Sequence, residues 1–230
     1  AAIAMGATVV TFADVPRTKF NQRIITIPPV LHKDHQVLYE KARRMNDPIA
    51  AVAAETEEQA EAALRAICVE YEVLPVVTDA FEAMKPGAPR IHDKILWGEN
   101  EIEIKNNIAC TRSVDVGDAD KAFKDADVVV REVFDLPKVY HAQMETKSCV
   151  VRPEPNGGLT VWPTTQSIHN VRIILGQIFD IPLSKIDVRK VPIGGTFGSS
   201  IQMNTPIPIC AALAIKSGRP VKLTLTREED

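Results

Sequence analysis

The residues with the clearest chemical content stand in the second half of the chain. Gly194-Gly195-Thr196-Phe197-Gly198 lies between a β-rich run at 186–191 and a helical run from about 206 to 216. A glycine loop between a strand and a helix turns backbone N–H groups and a helix N-terminus toward an anion. The spacing is G-G-x-x-G, so it is not the dinucleotide pattern G-x-G-x-x-G. It is not a P-loop either, because no Lys follows the last glycine. A tight turn that needs glycine for steric reasons alone is the competing reading, and the pattern by itself favours it. Phe197 adds one constraint. A large aromatic in such a loop must anchor in the core or face a ligand, and both imply a loop of fixed shape.

Other candidates are weaker alone. Gln166, in Thr164-Thr165-Gln166-Ser167, sits at the carboxyl end of an expected strand, where α/β layers place ligands. Its amide both donates and accepts, which suits an oxo or pterin-like partner, although alone it reads as a helix cap. His141 and Glu145 stand just before a strand, as an acid–base pair or as a hydrogen-bonded structural pair. His32 and His35, with Asp34 between them, have a spacing a metal can use, but with no further ligand nearby a solvated loop is the better reading. Cys68, Cys110, Cys149 and Cys210 form no C-x-x-C pair, so they read as buried thiols of a reducing cytoplasm. No Ser/His/Asp order or paired catalytic carboxylates stand out.

The elements that must position these residues follow from periodicity. Alternation predicts strands at 7–12, 49–54, 68–73, 128–134, 148–152, 159–162, 186–191 and 221–226, with a further one at 24–27. Thr56 to Gln59 has the form of a capping box and opens a helix whose Ala60, Ala63, Leu64 and Ile67 share a face. Gly117 and Asp118 open a short acidic helix. Ile168, Val171, Ile174, Leu175, Ile178 and Phe179 repeat at three and four until Pro182, and Gly218 caps the helix that starts near Pro206. Asn156-Gly157-Gly158 turns a hairpin. Residues 78–97, with Pro86 and Pro89, read as a wandering connection near a domain boundary. Val52, Leu64, Ile67, Val129, Val161, Leu175, Ile178, Val188, Leu213 and Leu223 are the expected core.

Composition bounds the rest. At 230 residues, 45% hydrophobic and 25% charged, the chain is an ordinary globular protein of one large or two small domains. The 27 basic residues against 30 acidic leave no cationic excess for nucleic acid. The longest nearly apolar run, 207–215, is too short to span a membrane. The opening AAIAMGATVV and the closing KLTLTREED begin and stop in mid-pattern, so the chain reads as a piece of a longer polypeptide.

Several segments together resemble the molybdenum-binding large subunit of the xanthine dehydrogenase and aldehyde oxidoreductase family. DPIAAVAAETEEQAEAALRAICVEYEVLP resembles its small hammerhead domain, and VDVGDADKAFKDADVVVREVF resembles the approach to its cofactor domain. YHAQMETKSCVV, VWPTTQS and IGGTFGSS resemble its first cofactor-binding segments, in order. The resemblance implies an α+β fold: a small α/β hammerhead-like domain at 1–95, a linker at 96–126, and the first part of a mixed α/β molybdopterin-binding domain at 127–230. It also implies hydroxylation of an aldehyde or N-heterocycle at carbon, with oxygen from water. Electrons then leave through 2Fe-2S and FAD centres on partner chains or domains.

By position, Gln166 and Phe197 match residues near the molybdenum, and Gly195, Thr196, Gly198 and Ser199 match the cofactor-binding loop. No catalytic residue is expected in this chain, because the family's general-base glutamate lies beyond it. The loop departs from the xanthine-type G-G-G-F-G-G-K-E at Thr196, Ser199, Ser200 and Ile201. The purine-gripping carboxylate is therefore missing, which tilts the expectation toward aldehydes or another substrate. A non-catalytic scaffold or subunit-contact module is the alternative from a different class.

Overall fold

The computed structural model describes residues 1–23 and 32–230, so the strand expected at 24–27 lies outside the described residues. In chain order the elements are β1 (Thr8–Thr11), β2 (His32–Lys33), β3 (Ala50–Ala53), α1 (Glu57–Arg65), α2 (Ala80–Ala83), β4 (Lys94–Trp97) and β5 (Asn100–Glu103). There follow α3 (Ala119–Asp125), β6 (Ser148–Pro153), β7 (Leu159–Pro163), α4 (Ile168–Phe179), β8 (Ile186–Val188), α5 (Pro206–Ser217) and β9 (Val221–Thr224). They fall into two compact units. The first is Ala1–Leu74, Lys94–Glu103 and His141–Asp230; the second is Pro75–Asp93 and Ile104–Tyr140.

Among the described residues the first unit holds three sheets. β1 and β3 pair antiparallel with Val9 opposite Val52. The second sheet has the order β2-β4-β5, and the third β8-β7-β6-β9. In the third sheet β7 and β8 run parallel, joined through α4, while β6 pairs antiparallel with β7 and β9. Parallel neighbours need such a crossover, whereas β6 and β7 need only the tight turn at Asn156-Gly157-Gly158. Gly157 takes φ +76 there. Gly158 is glycine for a different reason: a Cβ on it would lie 2.2 Å from the Lys185 carbonyl oxygen.

Helix α5 is buried over most of its circumference, from Pro206 to Ala214. A helix apolar all round belongs inside a core, and α5 contacts β6, β9, β1 and β3. Its side chains join Val10, Leu38, Val151, Val161, Leu175 and Ile178 in one cluster. Pro at the first turn and Gly218 at φ +67 set its two ends. Thr56 caps α1 as its sequence predicts, its hydroxyl accepting from the Gln59 N–H at 3.2 Å.

Part of the expected core is displaced. Val161, Leu175, Ile178 and Leu213 are buried, and Val52, Ile67, Val188 and Leu223 pack partly against the clusters. Leu64 and Val129 are each 51% exposed. On α1 it is Ala63, fully buried with Ala2 and Ala7, that faces inward, and Leu64 is turned by one helical step from it. Val129 fails because the strand expected at 128–134 does not form: that run has no ladder partner among the described residues. The strand expected at 68–73 is absent for the same reason. The connection expected over 78–97 contains α2 and β4, and Asn100–Glu103, within the expected linker, forms β5, while α3 is the short acidic helix expected after Asp118.

In the second unit, Asn107 at φ +55 ties three segments together. Its Oδ1 accepts from the Ile91 N–H, and its Nδ2 donates to the carbonyls of Ala83 and Pro89, each at 2.9 Å. Much of the unit is irregular and exposed, including Val133 and Phe134.

Candidate cofactor site

The carboxyl end of β7 and the glycine loop meet in the first unit. After β7 the chain continues through buried Thr164 and Thr165, and the Thr164 N–H extends the ladder to the Ser148 carbonyl at 2.8 Å. Gln166 then turns outward while its N–H donates to the carbonyl of Ser200 at 2.9 Å. The Thr165 hydroxyl donates to that same carbonyl at 3.3 Å, and the Ser167 N–H closes a local turn on the Thr165 hydroxyl at 3.0 Å. Asn204 Nδ2 adds a bond to the Thr164 carbonyl at 2.9 Å. Ser200 thus fixes the segment bearing Gln166 to the segment bearing Phe197, although the two are remote in the chain.

The loop itself is strained in a directed way. Gly195 and Gly198 take φ +97, and Phe197 takes φ +50, a conformation that costs a bulky residue of order 1–2 kcal/mol. The Phe197 ring folds back over Gly195, 3.5 Å from where a Cβ would stand, and the side chain is 75% exposed. Of the two roles open to this aromatic, core anchor is therefore excluded. Thr196 is buried, its carbonyl accepting from the Ser199 N–H at 2.9 Å. The Gly194 N–H is taken by Glu145 and the Ile201 N–H by Gly198. The consecutive N–H groups of Gly195, Thr196, Phe197 and Gly198 are left without a backbone acceptor among the described residues. The Ser199 and Ser200 hydroxyls are buried with no hydrogen-bond partner among the described residues.

Beneath the loop lies the segment before β6. Gln143 is buried under Gly195, and its Nε2 donates to Asp230 Oδ2 at 2.6 Å, while Lys147 pairs with the other oxygen. His141 is exposed, and Glu145 turns to Thr164 and Gly194. Nothing in the sequence signals those two partners, which are remote in the chain.

The remaining histidines and two of the cysteines depart from expectation. His32 pairs opposite Trp97 in β2, and His35 is part-buried, bridged to Phe20 and 3.1 Å from Arg44. The solvated-loop reading is corrected, because the Phe20 ring, the Tyr39 hydroxyl and the Arg44 guanidinium stand against that ring. Burial holds the His35 imidazole below its ordinary value of 6.5, against the pull of Asp34. Cys149 and Cys210 are buried as expected, but Cys68 and Cys110 are exposed. Cys68 lies in the run whose strand does not form.

The model of the molybdopterin cofactor-binding domain matches residues 100–230, more than half of the chain. That of the aldehyde oxidase and xanthine dehydrogenase a/b hammerhead domain matches residues 3–75. The chain belongs to this family. It is 41% identical over 221 residues to a probable xanthine dehydrogenase component of Bacillus subtilis, covering 96% of this chain and 27% of that protein. It is 34% identical over 197 residues to the carbon monoxide dehydrogenase large chain of Hydrogenophaga pseudoflava, covering 83% and 24%. The crystal structure of the Cu,Mo-CO dehydrogenase superposes with a TM-score of 0.79 at 30% identity, over 96% of this chain and 28% of that one. Quinoline 2-oxidoreductase from Pseudomonas putida gives 0.77 at 25% identity, over 96% and 27%. The chain thus spans about a quarter of the length of these molybdenum hydroxylase relatives. Its α+β fold and its molybdopterin-binding domain are those of the family, and the donors of the loop fit an oxo-rich anionic group.

Proposed function

We propose that this chain supplies the floor of a molybdenum hydroxylase centre that acts on an aldehyde or N-heterocycle. The observation that carries the reading is the Ser200 carbonyl, which holds Gln166 and the Phe197 loop together beside four donors with no backbone acceptor among the described residues. In this reading Gly195, Thr196, Phe197, Gly198 and Ser199 hold the molybdopterin group. Their N–H groups and the Ser199 hydroxyl donate to its anionic oxygens. Gln166 and Phe197 would stand nearest the molybdenum, where the Gln166 amide would donate to or accept from the group it faces. When bound, the group supplies the two-electron oxidation in which a substrate C–H and water give C–OH, two protons and two electrons.

The loop orients by donors that need no rearrangement. Iron–sulfur and flavin partners take the electrons, and a glutamate outside this chain serves as general base. Ser200 and Ile201 leave no carboxylate to grip a purine, which supports aldehydes as the first substrate class. The hammerhead at 1–95, linker at 96–126 and cofactor domain at 127–230 are the proposed evolutionary divisions, and the cytoplasm is the proposed compartment. Among the described residues no helix is long and apolar enough to cross a membrane.

The deciding experiment is metal analysis of the natively purified protein together with every chain that travels with it, followed by hydroxylase assay of Gln166→Ala. Molybdenum in the wild type and a fall of about 10–100-fold in the variant are expected. Absence of molybdenum sinks the cofactor reading, and full activity in the variant sinks the role of Gln166.

A further inference from the structure

We propose that Glu145 is the positioning residue of the cofactor loop, a carboxylate brace that sets where the loop starts relative to the end of β7. The proposal rests on the molybdopterin reading for its purpose but not for its geometry. Glu145 Oε1 accepts from the Thr164 hydroxyl at 3.1 Å, and Oε2 accepts from the Gly194 N–H. The Thr164 hydroxyl gives its one proton to Glu145 and accepts in turn from the Ser148 N–H at 3.3 Å and the Ser148 hydroxyl at 3.2 Å. Each donor in the relay has one acceptor, and both carboxylate oxygens are committed. Glu145 is therefore occupied as an acceptor from two segments, which separates it from the acid–base role its place beside His141 allows.

A second observation is independent of these bonds. Gly194 does not take positive φ, so its lack of a side chain serves no backbone need. A Cβ at Gly194 would stand 2.9 Å from Glu145 Cβ and 3.0 Å from Oε2. The first glycine of the loop is thus matched to the close approach of this carboxylate.

The consequence reaches the site through charge as well as position. Glu145 takes the first N–H of the loop and puts a negative charge beside it, so the donors left for an anionic group begin at Gly195. The brace defines one end of the anion site by occupying and repelling. Because Thr164 is also bonded to Asn204, and its neighbour Thr165 to Ser200, the same anchor that places Gln166 places the loop.

Glu145→Gln keeps the shape and replaces one acceptor by an NH₂ that faces a donor. Gly194→Ala keeps Glu145 but displaces it, and Thr164→Val removes one arm only. Each is made in the assembled enzyme and followed by hydrogen-exchange mass spectrometry with overlapping fragments across 190–201, in protein from molybdenum-free and molybdenum-replete cells. In the metal-free preparation, exchange at position 194, relative to each sequence's intrinsic rate, should rise about tenfold to a hundredfold in Glu145→Gln and Gly194→Ala, and less in Thr164→Val, with β6 and β7 still protected. In the loaded preparation the Mo(V) electron paramagnetic resonance signal of Glu145→Gln should shift at unchanged molybdenum content, which a merely structural role would not produce.

Unchanged exchange at Gly194 in both Glu145→Gln and Gly194→Ala overturns the brace. An unshifted signal in fully loaded Glu145→Gln overturns its role at the centre. If Glu145→Gln loses β6 and β7 protection, the other two variants decide by the same criterion. Faster exchange in a protein that never holds molybdenum upholds the brace and refutes the proposed function, so the two failures are distinguishable.

Discussion

At the residue scale, one side chain defines what this protein can do with its loop. Phe197 is held at positive φ with its ring in the open, an arrangement that stores strain and gains nothing from the core. Strain of that kind points to a site, whereas the same residue read from sequence could equally anchor the core. His35 gives a prediction with a definite sign. Its folded-state imidazole resists protonation because burial outweighs Asp34, while the unfolded chain protonates it normally near 6.5. Above that value the group contributes nothing, and below it the unfolded state binds a proton the folded state refuses, so stability falls as pH falls. Urea midpoints from about pH 7.5 to about pH 5 should show this slope, reduced in His35→Gln. Cysteine labelling gives a second. Cys68 and Cys110 should react promptly with an alkylating reagent, and Cys149 and Cys210 only on unfolding. The Cys149 thiol is pushed up by its hydrogen bond with Cys210 and by burial, which leaves almost no thiolate. Mass spectrometry counting four fast sites would refute it.

At the element scale, the hairpin and the helices obey short-range rules with measurable costs. Thr56→Ala removes the hydroxyl that accepts from Gln59 and should cost about 1 kcal/mol in chemical denaturation. Gly158→Ala should cost more, about 1–3 kcal/mol, because the group in its way is the backbone carbonyl of Lys185 and cannot rotate aside. Equal stability of the two proteins would show that the turn before β8 yields more easily than its packing implies. Helix α1 shows where element rules stop. Its cap and length are legible in the sequence, but which of Ala63 and Leu64 faces inward depends on the Ala2 and Ala7 contact, which no local pattern contains.

At the scale of the whole molecule, protection should be sharply uneven. Amides of β6, β7 and α5, in the main core, should exchange slowly, and those over 127–139 close to the intrinsic rate, since these residues are exposed and in no ladder among the described residues. Slow exchange there would mean that the segment finds a partner strand within the chain. This contrast also explains the two missing strands. The runs at 68–73 and 128–134 have the alternation and β-branching that a strand needs, but a strand exists only when a neighbour takes up its backbone groups. Alternation describes two faces and never names the partner.

The sequence alone determined most elements of the first unit, since caps, turns and hydrophobic period act over a few residues: α1, α4, α5, the β6–β7 hairpin and the strand before the glycine loop all lie where the pattern puts them. It also marked Gln166 and Gly194 to Gly198 as worth attention, and through ordered motifs it pointed to the family. Tertiary structure decided the rest. Only the fold brings the Ser200 carbonyl to Gln166, turns Glu145 from His141 to Thr164 and Gly194, exposes Phe197, and encloses His35. Each of these is a contact between segments far apart in the chain, and such contacts depend on how whole faces pack, a quantity that residue spacing does not encode.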